Sequence, residues 1–124
     1  MSSPILGLRT TIYKVSDITA AKEWYAGVFE AQPYFDMPFY VGFNIGGYEL
    51  GLQPEEENDS VKMDSVLSYW GVNDVHEVYN KFIAAGAANH EPPQEVGEGI
   101  IVASVKDPWG NVIGLIYNPH FKIS

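Results

Sequence analysis

Few side chains in this chain could do chemistry, and their types and spacing narrow the options further. The histidines His76, His90 and His120 are far apart, with no pair at metal-ligand spacing, and there is no cysteine. Thiolate catalysis, disulfides and cysteine metal sites are therefore excluded. No nucleophilic triad, phosphate-cradling glycine loop or dinucleotide fingerprint is present, which sets aside hydrolase, kinase and dehydrogenase chemistry. What remains is a pair of opposite charges, Lys14 and Glu49, in segments otherwise rich in β-branched, apolar and aromatic residues. In an apolar cup the Glu49 carboxylate is expected to have a raised pKa, suited to proton abstraction next to a carbonyl. A structural salt bridge between Lys14 and Glu49 is the alternative.

The segments that must position these residues repeat. Val15-Ser16-Asp17-Ile18 is echoed by Val72-Asn73-Asp74-Val75, and Leu50-Gly51-Leu52 by Ile113-Gly114-Leu115, in the same order. Two ordered echoes point to one supersecondary unit copied and fused. In the first half, Leu8 to Val15 reads as a strand. Ser16 or Asp17 then caps a helix whose Ile18, Ala21, Tyr25, Val28 and Phe29 share a face and which Gln32-Pro33 ends. Aromatic-rich segments at Tyr34-Phe35 and Phe39 to Ile45, a Gly46-Gly47 turn and a strand from Tyr48 to Gln53 complete it. In the second half, Ser65 to Val72 is the strand, and Asp74 caps a helix with an apolar stripe of Val75, Val78, Tyr79, Phe82 and Ile83, stopped by Gly86. This places His76 on a helix, His90 in a loop and His120 near the terminus. Ala87 to Gly99, with Pro92-Pro93, predicts only a short or irregular strand. Ile100 to Val105 and Asn111 to Tyr117 are strands joined by the turn Asp107-Pro108-Trp109-Gly110-Asn111.

A chain of 124 residues with 46% hydrophobic content can bury one core. It reads as a single domain over 1–124, with modules at 5–54 and 65–120 and an acidic linker at 55–64. Seven basic against sixteen acidic residues give a formal charge of -9, which repels nucleic acid and anionic lipid and favours cationic partners. No run is long and apolar enough to span a bilayer and no export signal opens the chain, so a cytoplasmic protein without nucleic acid or membrane partners is expected.

The tandem modules, Asp107-Pro108-Trp109-Gly110-Asn111-Val112-Ile113-Gly114-Leu115-Ile116, Trp24-Tyr25 and Tyr48-Glu49-Leu50-Gly51-Leu52 together resemble the glyoxalase, bleomycin-resistance and extradiol-dioxygenase (vicinal oxygen chelate) superfamily. The resemblance implies an α+β fold of two tandem βαβββ modules forming a cup-shaped mixed β-sheet around a small-molecule pocket, as in glyoxalase/bleomycin resistance/dihydroxybiphenyl dioxygenase-like proteins. It also implies a homodimer. The same fold serves enzymes and binding proteins alike.

Metal-dependent members hold a divalent ion through His, Gln or Glu on the first strand and Glu or His on the last strand of each module. Counted from Asp17 and Asp74, the first-strand positions fall on Thr10 and Leu67; the last-strand positions fall on Gly51 and Gly114. Apart from the weak hydroxyl of Thr10, none normally binds a divalent cation, so neither a metal nor another cofactor is expected. Strand alternation adds Ile12, Lys14, Glu49, Tyr69 and Val112 to the cup, and Phe39, Tyr40 and Phe43 lie near its expected mouth. Gly51 and Gly114 either make room for a flat ligand or mark vacated metal sites. Trp109 packs on its own module, covers the pocket or meets a partner subunit.

The function expected is therefore a metal-independent protein that binds and sequesters an aromatic or cationic small molecule. The alternative is a glyoxalase- or dioxygenase-like enzyme with Glu49 as its general base.

Overall fold

Tyr13 and Val15 are buried, while Ile12 before them is 45% exposed and Lys14 between them is half-buried, the alternation of a strand covered on one face. This strand, β1 (Thr10–Val15), leads into α1 (Ile18–Phe29), then β2 (Phe35–Met37), β3 (Tyr40–Ile45) and β4 (Tyr48–Pro54). The second series is β5 (Tyr69–Gly71), α2 (Val75–Ala84), β6 (Ala88–Gly97), β7 (Ile100–Lys106) and β8 (Val112–Tyr117). The computed structural model describes residues 3–56, 62 and 65–121. Contacts divide the chain into two units, Met1–Asn58 and Asp59–Ser124. Most of the acidic stretch expected as a linker, residues 57–61, 63 and 64, lies outside the described residues.

Each unit has one four-stranded mixed sheet, in the order β1-β4-β3-β2 or β5-β8-β7-β6. The first and last strands of each unit pair in parallel and the remaining neighbours are antiparallel. The fold is thus the expected α+β arrangement of two βαβββ modules with open sheets. Parallel pairing of β1 with β4 sets Thr10 opposite Glu49, Ile12 opposite Gly51 and Lys14 opposite Gln53.

In the first unit α1 covers the face carrying Tyr13, Val15, Val41, Phe43, Leu50 and Leu52, all buried. Tyr25 stacks on Tyr13 at 5.6 Å and on Phe29 at 5.8 Å. Full burial of such a side chain contributes roughly 1.5–3 kcal/mol. The Asp17 carboxylate accepts the Ala20 N–H at 3.0 Å and caps α1. The helix ends at Phe29, three residues before the expected stop. Glu30 takes a left-handed conformation (φ 53°), and the chain turns before Pro33 can act.

In the second unit Val75, Phe82, Ala103, Val105, Ile113 and Leu115 form the buried layer, and the Asp74 carboxylate caps α2 through the Glu77 N–H. Gly86, at φ +106°, carries the left-handed backbone that stops the helix. Two expectations are corrected here. β5 covers only Tyr69–Gly71 of the predicted Ser65–Val72 strand. The segment expected to be a short or irregular strand is the ten-residue β6, and it includes His90, expected in a loop. β6 is irregular, with register shifts on both sides of Pro92-Pro93. It lies at a sheet edge, with a ladder on one side only, and the shift between Glu91 and Gln94 interrupts that ladder at the two prolines.

Candidate functional site

The face of the first sheet opposite α1 carries the side chains that alternate with the core. Gly42 on β3 and Gly51 on β4 are direct register partners and form a floor without side chains. Aromatic rings lie on it. A Cβ on Gly51 would collide with the Tyr40 hydroxyl, and one on Gly42 would come within 3.0 Å of the Tyr34 ring and 2.8 Å of Glu49 Oε2. The glycines let these side chains approach the sheet closely, and neither residue has positive φ.

Glu49 is the centre of the face. Its Oε1 accepts the Thr10 hydroxyl at 2.8 Å and its Oε2 accepts the Tyr34 hydroxyl in a short hydrogen bond; the Tyr40 hydroxyl lies near the same carboxylate and favours its charged form. The Tyr34 bond is the main influence holding Glu49 below its ordinary pKa; burial opposes it, and the Thr10 and Tyr40 bonds add to the lowering. The expected raised pKa is therefore corrected. Burial alone would raise it, but donors from β1, β3 and the segment before β2 stabilise the anion. The phenols respond in the opposite sense. Tyr34 is raised by its bond to Glu49, and Tyr40 is pushed up to about 12, first by burial and then by Glu49.

The structure brings Thr10, Ile12, Glu49 and Gly51 onto this face, with Lys14 at its far end. Lys14 lies four residues along β1 from the partner of Glu49, roughly 13 Å at ~3.3 Å per residue. The alternative of a Lys14–Glu49 salt bridge finds no support, because the carboxylate is turned to the Thr10 and Tyr34 hydroxyls. Phe43 does not join the face: it shares the register of Leu50 and is 1% exposed under α1. Tyr34, which sequence reasoning left out of the site, and Tyr40, left undecided, are central. Phe35 lies opposite Gly42 on the same face, with its ring 6.1 Å from that of Tyr40 and 6.3 Å from that of Phe39.

In the second unit Tyr69, Gly114 and Ser104 are register neighbours across β5, β8 and β7. The Tyr69 ring covers Gly114, where a Cβ would fall 2.7 Å from the Ser68 carbonyl oxygen and from the ring. Val112 lies opposite Lys106, and Leu67 is half-buried just before β5. Ser104, 1% exposed, shares a 2.7 Å hydrogen bond with His90 Nδ1, so this histidine is held in the sheet and does not lie in a loop. Trp109 is half-buried in the Asp107 turn, its N–H donated to the Asp107 carboxylate at 2.9 Å.

The positions that bind metal in metal-dependent relatives can be tested within each unit. In the first, Thr10 directs its proton to Glu49 and Gly51 has no side chain; in the second, Leu67 and Gly114 offer no donor atom. This donor set does not fit a divalent cation. Among the described residues no three His, Asp or Glu side chains come together as a metal group. No helix among them is long and apolar enough to cross a membrane.

Paired βαβββ units with an open sheet face in each define a class, and comparison with known proteins identifies it. The chain belongs to the Glyoxalase/Bleomycin resistance protein/Dioxygenase superfamily, whose family model matches residues 7–115. Its fold is similar to that of a glyoxalase-related enzyme from Fulvimarina pelagi, at 20% identity and a TM-score of 0.78, covering 97% of this chain and 94% of that one. A lactoylglutathione lyase from Agrobacterium tumefaciens matches at 19% identity and a TM-score of 0.71, covering 96% and 100% of the two chains. TioX from Micromonospora sp. ML1 matches at 21% identity and a TM-score of 0.64, covering 90% and 98%. At these identities the likeness is one of fold. No curated protein sequence matches the chain.

Proposed function

We propose that this chain is a metal-independent small-molecule-binding protein of the glyoxalase/bleomycin resistance type, and that it takes an aromatic or cationic compound on the face of its first sheet opposite α1. The observation that carries this reading is the Glu49 carboxylate held by Thr10 and Tyr34 beside the Gly42-Gly51 floor, which the Tyr34 and Tyr40 rings cover. Half-exposed aromatic rings around an oriented polar group are the usual composition of a small-molecule site. The enzyme alternative is less well supported, since a carboxylate with a lowered pKa is a weak base. The donor set at the family's ligand positions supports metal independence.

Melting curves with a panel of cationic aromatic compounds test the reading: binding to the folded state raises Tm by mass action. Loss of that shift in Glu49→Gln would assign it to this face. Incubation with nickel, zinc, manganese or iron(II) is expected to leave Tm unchanged, and stoichiometric metal uptake would overturn metal independence. A homodimer is part of the proposal, supported by the exposed Ile5, Leu6 and Leu8; light scattering at the monomer mass would remove it.

A further inference from the structure

We infer that the Glu49 face recognises its ligand through an N–H-bearing cation, a primary ammonium, amidinium or guanidinium, because the cluster turns its hydroxyl protons inward and offers lone pairs outward. This rests on reading the face as a binding site and names the class of ligand it takes.

The argument is a count of protons. A hydroxyl has one proton and two lone pairs, and an ionised carboxylate accepts at about four sites. Thr10 and Tyr34 each give their proton to Glu49, and the Tyr40 hydroxyl lies near the same carboxylate. Two of the carboxylate's sites are thus filled, and about two stay open to Tyr40 and a ligand. The Thr10 and Tyr34 oxygens keep acceptor capacity and have no donor left. The floor adds none. β4 lies between β1 and β3, and β3 between β4 and β2, so the backbone N–H groups at Gly42 and Gly51 are directed along the sheet to neighbouring strands. Asn44, the direct partner of Glu49 on β3, is turned into the hairpin by its Oδ1, which accepts the Gly47 N–H at 2.9 Å.

A carbonyl, carboxylate or phosphate arriving here would meet acceptors and a negative charge. Burying such a group without donors costs free energy. An ammonium or guanidinium meets the reverse: a remaining carboxylate site, polarised hydroxyl oxygens and aromatic faces. Tyr34 contributes most to the last of these, since the residue is 65% exposed while its hydroxyl is anchored. The formal charge of -9 draws the same class of ligand.

Three probes that differ only around a phenyl ring separate the possibilities: benzylammonium, benzyltrimethylammonium and benzoate, titrated into isotope-labelled protein at neutral pH. The amide signals of Gly42 and Gly51 are expected to move saturably with benzylammonium. Benzyltrimethylammonium, cationic but without N–H, should bind about ten-fold more weakly, and benzoate should give no saturable shift. In Glu49→Gln the new amide is both donor and acceptor and frees the hydroxyl protons to turn outward. The preference for benzylammonium over benzoate should there fall about ten-fold or more. Benzoate or benzyltrimethylammonium matching benzylammonium, or an unchanged preference in Glu49→Gln, overturns the inference and leaves the binding-site reading standing. If no probe moves these amides, the binding-site reading falls, and the inference with it.

Discussion

Thr10 donates its hydroxyl proton to Glu49 Oε1 at 2.8 Å, across the parallel pairing of β1 with β4. This bond joins the first-strand position that binds metal in relatives to a carboxylate two residues before the last-strand position. A side chain in a place suited to ligating a cation thus helps to hold an anion. Tyr34 and Tyr40 complete the arrangement, and the acid–base properties of the face follow from it.

The pH dependence of stability should carry the signature of Glu49. Its folded-state pKa is below the ordinary 4.5, so its stabilising contribution is complete above that value and is lost as pH falls through the lower, folded one. Thermal melts of wild type and Glu49→Gln, compared from neutral pH downward, are expected to differ most near neutrality and to converge in acid. A gap that widens in acid would contradict the direction of the shift.

Tyr40 should resist ionisation. Its phenol is pushed up to about 12, with burial the first cause and the bond to Glu49 the second. An ultraviolet titration of wild type minus Tyr40→Phe isolates this phenol, and half-ionisation is expected near that value. In Glu49→Gln part of the elevation should persist, because burial remains. The raised value stabilises the fold fully below the ordinary 10.0, and that contribution is lost as pH rises through about 12.

The two glycines at equivalent last-strand positions should respond differently to a methyl group. In Gly51→Ala the obstacle is the far end of the Tyr40 side chain, which can swing away. In Gly114→Ala it is the Ser68 carbonyl oxygen at 2.7 Å, part of a backbone that itself accepts the Gly114 N–H. Gly114→Ala is expected to cost about 1–3 kcal/mol by denaturant unfolding, and Gly51→Ala less. Gly51→Ala should instead disturb the titration of Tyr40. Equal losses of stability would show that the two sites are equally constrained.

Asp107 is the most deeply buried carboxylate described, 4% exposed. It accepts the Trp109 N–H at 2.9 Å, the Asn111 N–H at 2.8 Å and the Asn111 side-chain amide at 2.9 Å. Asp107→Ala leaves these donors without their acceptor, and chemical denaturation should show a loss of about 1–3 kcal/mol. Asp107→Asn, which keeps one acceptor oxygen, should lose less.

Local pattern carried much of the fold. Asp17 and Asp74 cap helices as their side-chain chemistry requires, Gly86 stops α2, and the period-two burial of Tyr13 and Val15 is written in residue type. Where the reading failed, a non-local partner decided. Pro92-Pro93 argued against a long strand, yet an edge strand whose register shifts between Glu91 and Gln94 tolerates them. The segment that carries Phe43 puts it near the expected mouth of the pocket. The parity of β3 against β4 puts it under α1 with Leu50, and a one-residue change of register reverses such an assignment.

The same division holds at the site. Residue types alone exclude thiol chemistry, leave the family's four ligand positions without strong metal donors and mark Glu49 as an isolated carboxylate. The protonation of that carboxylate was not legible, because burial raises a carboxyl pKa and hydrogen-bond donors lower it. Which influence prevails depends on groups far away in the chain. Thr10 lies 39 residues and Tyr34 15 residues from Glu49 in sequence. Tertiary packing delivers their hydroxyls, with that of Tyr40, to one pair of oxygens, and only there does an apolar strand's lone acid become a stable anion.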